Sequence, residues 1–132
     1  MIFEYTLKTD HMYMTSITDC VRSAVKKSGV KSGICVVYCP HTTAGITITE
    51  NTDSEVSSDI MYGLAKSFPN WIGYKHYEGN SAAHLLSSVI GASAVLIVEG
   101  CQPILGPLQG IYFCEFYGNQ RRKYFVKVIA DK

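Results

Sequence analysis

The run Gly33-Ile34-Cys35-Val36-Val37-Tyr38-Cys39, closed by Pro40, most restricts what this chain can fold into. A short, unbroken apolar run rich in Val and Ile predicts a strand buried on both faces. Ala94 to Glu99 has the same character. Residues 2–8 alternate instead, with Phe3, Tyr5 and Leu7 on one side, which predicts a half-buried strand. Asp10 to Met14 is expected to extend that strand or pair with it.

Three helices are expected between these strands. Ile17, Cys20, Val21, Ala24 and Val25 form an apolar stripe over Ile17 to Ser28, with Ser16-Ile17-Thr18-Asp19 as a capping-box variant and Gly29 as the stop. Ser54 to Lys66 carries Val56, Ile60, Met61 and Leu64, with Asn51, Thr52 or Asp53 as the cap. Ser81 to Ile90 is shorter, starts at Asn80-Ser81 and ends at Gly91. Gln109 to Tyr117 and Lys123 to Ala130 read as an antiparallel hairpin turning through Gly118-Asn119-Gln120-Arg121. The order is strand, helix, two strands, helix, helix, strand, hairpin. That order favours an α+β fold, with about three helices packed on a largely antiparallel sheet or two-sheet sandwich.

The length, 132 residues, points to a single domain, residues 1–132. A formal net charge of +1 with no basic block argues against nucleic acid as partner. Arg121-Arg122-Lys123 reads as a charged hairpin turn first and an anion contact second. No apolar run approaches the roughly 20 residues of a membrane span, and the alternating, acid-bearing start at Met1 to Tyr5 is unlike a signal peptide. There are five cysteines and no C-x-x-C. On one strand Cys35 and Cys39 would lie about 13 Å apart, too far for a disulfide. Reduced thiols and a cytoplasmic location are the expectation.

Four stretches carry reactive groups. His41-Thr42-Thr43-Ala44-Gly45 sits where a strand emerges and turns. Its imidazole and two hydroxyls either hold a phosphate-like oxygen and present a base, or close a β-turn on the local backbone. Glu50 ends the next strand and is a candidate to ligate a metal or polarise a histidine. His76 and His84 flank Gly79-Asn80-Ser81, where free backbone N–H groups at a helix start suit an anion. With His41 or a nearby carboxylate they would make a metal site with an open position. Finally, Glu115 stands in an apolar strand, where it either faces solvent or is buried and paired, and Gln109 offers an amide to a ligand. The aromatic residues Phe68, Trp71, Tyr74 and Tyr77 are too dense for a free linker and are expected to pack, on another subunit if not on this chain.

His41 to Ile48 with Glu50-Asn51, His76 to His84, and Gln109 to Phe116 together resemble the YjbQ-like family, also labelled secondary thiamine-phosphate synthase. The resemblance implies a small α+β sandwich, a homotrimer with sites near subunit boundaries, and a divalent metal (Zn or Mg) or oxyanion near the histidines. It implies weak transferase activity on a small phosphorylated metabolite, joining a hydroxymethylpyrimidine pyrophosphate to a thiazole phosphate with release of pyrophosphate. The alternatives are a non-catalytic phosphate-metabolite- or metal-binding trimer and a metal-dependent phosphohydrolase. On this reading His41, His84 and Glu50 are catalytic, and Thr42, Thr43, Asn80, Ser81 and Gln109 hold the substrate or its anion. His41, His76 and His84 would bind the metal. Two segments depart from the family pattern: Gly106-Pro107-Leu108-Gln109 replaces Gly-Thr-Trp-Gln, and Tyr117-Gly118-Asn119-Gln120 replaces Asp-Gly-Pro-Arg.

Overall fold

The computed structural model describes residues 1–132. Its elements run β1 (Ile2–Lys8), β2 (Tyr13–Ser16), α1 (Thr18–Ser28), β3 (Ser32–Tyr38), β4 (Ala44–Glu50) and α2 (Ser54–Ser67). They continue with α3 (Ser81–Ile90), β5 (Ser93–Glu99), β6 (Gln102–Pro103), β7 (Gln109–Glu115) and β8 (Arg121–Ala130). The strands form two antiparallel sheets, one of five in the order β1-β8-β3-β5-β6 and one of three in the order β2-β7-β4. The α+β sandwich with three helices is therefore what the chain adopts.

The inner face of the larger sheet carries Cys35 and Val37 from β3, Leu96 and Val98 from β5, and Val126 and Val128 from β8. These close on Val21, Ala24 and Val25 of α1 and on Ile46, Ile111 and Phe113 of the smaller sheet. Each fully buried aliphatic side chain contributes roughly 1.5–3 kcal/mol. The opposite face of the smaller sheet, with Met14, Tyr112 and Cys114, is covered by Met61 of α2 and by Ala83 and Leu86 of α3. β7 thus lies between two cores and is the strand buried on both faces.

Four expectations need correction. β3 and β5 bury only one face: Ile34, Tyr38, Val95 and Ile97 are exposed on the other. Apolar character on both faces does not itself supply a second covering layer. β2 does not join β1; it pairs with β7 in the smaller sheet. The expected hairpin is absent, because β7 pairs with β2 and β4 whereas β8 pairs with β1 and β3. The chain at 116–120 instead passes from one sheet to the other. At α1 the N-cap is Ile17 and no side chain caps it. Thr18 instead uses its hydroxyl to accept from Ile111 N–H at 2.9 Å, fastening the helix start to β7. Gly29 does end α1, at φ +72° where a side chain would be strained.

Candidate functional site

The His41 turn is held against α3 by a series of backbone contacts. Cys39 N–H donates to Ala92 O at 2.7 Å and Ile46 N–H to Gly91 O at 3.1 Å. Ser87 Oγ donates to Ala44 O at 2.6 Å. Gly45 permits the approach, since a Cβ there would lie 2.6 Å from Gly91 O. The result is a shallow hollow of about 390 Å³ shared by His41, Thr42, His84, Ser87, Ser88 and the backbone at Gly91-Ala92. Residues 43 positions apart in sequence thus meet because β4 packs along α3.

His41 is half-buried, and its Nε2 lies 3.1 Å from both N and O of Lys123. That nitrogen is committed to backbone, as N–H acceptor or donor by tautomer, and Nδ1 is the one left free. Burial, and then the Arg122 guanidinium, push its pKa below the ordinary value, so the ring is neutral at pH 7. The centroid of the His84 ring lies 5.3 Å from that of His76, edge to face, and His76 Nε2 lies 4.0 Å from Glu78 Oε1. No group of three or more His, Cys, Asp or Glu side chains in the chain is placed to hold a metal ion. The expected set of His41, His76 and His84 is not a closed three-ligand centre within one chain.

Thr43 faces away from the hollow. Its hydroxyl accepts from Arg122 Nη2 at 2.8 Å. The same guanidinium grips Glu115 with two bonds, Nε to Oε1 at 2.7 Å and Nη2 to Oε2 at 2.6 Å. Glu115 also accepts from Thr9 Oγ1 at 2.5 Å and from Tyr117 N–H at 2.9 Å. Burial alone would raise the Glu115 pKa, but these donors outweigh it and hold the carboxyl below its usual range. Arg122, read from sequence as part of an exposed turn, is therefore an inward-facing residue. Its inward parity with Tyr124, Val126 and Val128 on β8 was the available signal.

Other expected site residues lie elsewhere. Glu50 and Gln109 face each other in the β4–β7 ladder, at the end of β4 opposite His41. At ~3.3 Å per residue the seven-residue strand puts about 20 Å between its ends. Glu50 accepts from both the N–H and the hydroxyl of Thr52, and Gln109 Oε1 accepts from Gly106 N–H at 2.8 Å. Both are thus spent on local turns, and neither lines the hollow within one chain. Asn80 occupies the N-cap of α3 without a side-chain cap bond. It is buried, its Nδ2 donates to Glu78 Oε2 at 3.3 Å, and it does not line the hollow. Ser81 is the first residue of α3 and does not line it either. Among the cysteines, all are unpaired, and burial pushes the Cys114 thiol up to about 12, far from nucleophilic.

Together these features define a small antiparallel two-sheet α+β protein with a histidine-bearing turn fastened to the face of a helix. A family model described as UPF0047 protein YjbQ-like matches residues 3–131. The chain belongs to the UPF0047 (YjbQ-like) family. It is 48% identical to a UPF0047 protein of Methanocaldococcus jannaschii, over 100% of this chain and 96% of that one. It is 45% identical to the UPF0047 protein YugU of Bacillus subtilis, over 95% and 94%. Among solved structures, it resembles an uncharacterised YjbQ/UPF0047 protein of Clostridium acetobutylicum, with a TM-score of 0.93, 52% identity and coverage of 96% and 99%. A YbjQ-like protein of unknown function from Sulfolobus solfataricus has a TM-score of 0.94 at 27% identity, covering 99% and 97%. No helix of the chain is long and apolar enough to cross a membrane.

Proposed function

We propose that the hollow between His41, Thr42 and His84 binds the phosphate end of a small metabolite, and that the protein is a weak transferase of the thiamine-phosphate synthase type. The carrying observation is the meeting of two imidazoles and a free threonine hydroxyl in one polar hollow, with the Arg122 charge behind it. The Thr42 hydroxyl and the free nitrogens of His41 and His84 are hydrogen-bonding groups for phosphate oxygens. Such groups stabilise the charge that grows on a leaving pyrophosphate. A divalent ion, Zn or Mg, would take His76 and His84 from one chain and need further ligands from a second copy.

Self-association as a homotrimer is part of the same reading. It is supported by the uncovered outer face of the larger sheet, where Ile97, Ile34 and Ile129 form one row across three strands. Ile97 is 62% exposed and neighbouring Val95 60%. Contiguous apolar surface of this kind marks an interaction site. Trp71, Ile72 and Tyr77 of the loop before α3 are exposed as well, as a separate apolar group.

The test is pyrophosphate release from the pyrimidine pyrophosphate and thiazole phosphate pair. His84→Ala is expected to lower turnover by about ten- to a hundred-fold, as for loss of one stabilising group. Unchanged turnover in that variant sinks the assignment. A non-catalytic phosphate-binding reading is favoured by one specific observation, that Glu50 and Gln109 are spent on their own turns. Calorimetric binding of the phosphates without turnover would select it.

A further inference from the structure

A second hollow, of about 440 Å³, lies where β1 ends and β8 begins. Lys8, Thr9 and Asp10 form one side, Asn119, Gln120 and Arg121 form the other, and no apolar residue lines it. It shares no residue with the His41 hollow. Hydrogen bonds fasten the two sides together. Thr9 N–H donates to Gln120 O at 2.9 Å, Gln120 N–H to Thr9 Oγ1 at 3.2 Å, and His11 N–H to Asn119 Oδ1 at 3.0 Å. The last bond fixes the Asn119 amide: its oxygen accepts, and Nδ2 is left as a donor without a partner in the chain. Lys8 and Arg121 face each other across the β1–β8 ladder, where like charges repel. Neither has a carboxylate within 4.0 Å, since the ion pairs of the chain are Arg22–Asp19, His76–Glu78, Arg122–Glu115 and Lys123–Glu4. Lys123, two residues along the same exposed row of β8, does have its counter-charge, with Glu4 at 3.6 Å. Asp10 is the one acid on the walls, so two cations and one acid leave the hollow with an excess of one positive charge.

We infer that this hollow binds the dianionic phosphate of a small phosphate monoester, held between Lys8 and Arg121 with Asn119 Nδ2 as a third donor. Guanidinium and ammonium groups make charge-assisted hydrogen bonds to phosphate oxygens. A dianion between two facing cations replaces their repulsion with two attractions. The three donor groups come from β1, β8 and the chain just before β8. A monoester phosphate has a free oxygen for each of them, whereas a carboxylate has only two. Without an apolar wall, the rest of the ligand stays in solvent. Asp10 opposes the anion and keeps the affinity modest. Two of the walls, Asn119 and Gln120, lie in a segment where this chain departs from the family pattern, so the resemblance implies nothing about this hollow. The inference does not rest on the proposed function.

The experiment is a ¹H–¹⁵N NMR titration of the full chain with inorganic phosphate, glycerol 2-phosphate and acetate, at constant ionic strength and about pH 7.5, above the second ionisation of a monoester. Both phosphates are expected to give saturable shifts at Thr9, Asn119, Gln120 and Arg121, with Kd of about 1–10 mM, ordinary for a few exposed charged contacts. Acetate is expected to bind about ten-fold more weakly, for one charge-assisted hydrogen bond unmade. Lys8 and Arg121 are exposed, so Lys8→Gln and Arg121→Gln should leave the fold intact and weaken phosphate binding about five-fold each. Asn119→Asp keeps the acceptor for His11 N–H but replaces the donor with a negative charge, and should abolish saturation. Asp10→Asn should tighten binding about three-fold. Absence of saturable shifts at these residues would overturn the inference. So would acetate binding as tightly as phosphate, or phosphate binding unchanged in both Lys8→Gln and Arg121→Gln. Shifts confined to His41, Thr42 and His84 would overturn it too, and leave the proposed function standing. If phosphate binds beside Arg121 and pyrophosphate release is absent, this hollow stands and the transferase reading falls.

Discussion

Glu115 and Asn80 are both more than nine-tenths buried, and both are polar residues standing among apolar neighbours. They differ in what surrounds them. Each Glu115 oxygen has donors from Arg122, and Thr9 and the Tyr117 N–H complete the set. Asn80 keeps one atom bonded and one bare. A satisfied buried cluster rigidifies, whereas a half-satisfied one carries an uncompensated desolvation cost. The first joins the end of β7, the start of β8 and the His41 turn. The second stands alone at the start of α3.

The comparison gives its largest expected effect at Arg122. Arg122→Met leaves the Glu115 carboxylate buried without its partner, and should cost about 3–5 kcal/mol in denaturant unfolding. The double variant Glu115→Leu with Arg122→Met should recover only part of this, since Thr9, Thr43 and the Tyr117 N–H then lose their partners. Full loss in the double variant would mean that the pair acts through packing rather than charge.

Acid should expose the same cluster. The folded pKa of Glu115 lies below its ordinary value of 4.5. Its contribution is therefore complete above about pH 4.5 and is lost as pH falls through the lower folded value. The stability gap between the wild type and the double variant should narrow over that acid range. A gap constant down to the acid transition would contradict the pairing.

Thr43→Val removes one acceptor from Arg122 and should cost about 1–2 kcal/mol, with a shift in the His41 titration read by NMR. Asn80→Leu should have the smallest effect. It deletes the orphaned oxygen at nearly constant volume, so stability should change by no more than about 1 kcal/mol. A loss well beyond that would make Asn80 a structural residue like Glu115 and erase the contrast.

Much of the fold was legible locally. The stripe of α1, the cap at Asp53, whose Oδ1 accepts from Glu55 N–H at 2.9 Å, and the stop at Gly91 all occupy the expected places. Propensity and periodicity act within a few residues, so they survive without knowledge of the rest of the chain. Pairing partners do not. Tyr117-Gly118-Asn119-Gln120 has the composition of a hairpin turn, yet β7 finds its hydrogen bonds with β2 and β4. In the site, the nearness of His84 to His76 followed from eight positions of chain. The nearness of His41 to His84 depended on β4 lying along α3, and the distance of Glu50 from both on the length of β4.

The histidine-rich stretch, the apolar runs and the helix stripes are properties of the sequence itself, because each is set by neighbours in the chain. Which strand is buried on both faces was decided only in three dimensions. β3 and β5 carry apolar residues on both faces, but within one chain the covering layers fall on β7. The same applies to Asn80: its side chain is written in the sequence, but the bare acceptor exists only once α2, α3 and the end of β7 have packed together. Burial and hydrogen-bond satisfaction depend on what arrives from distant parts of the chain, and local pattern carries no record of that.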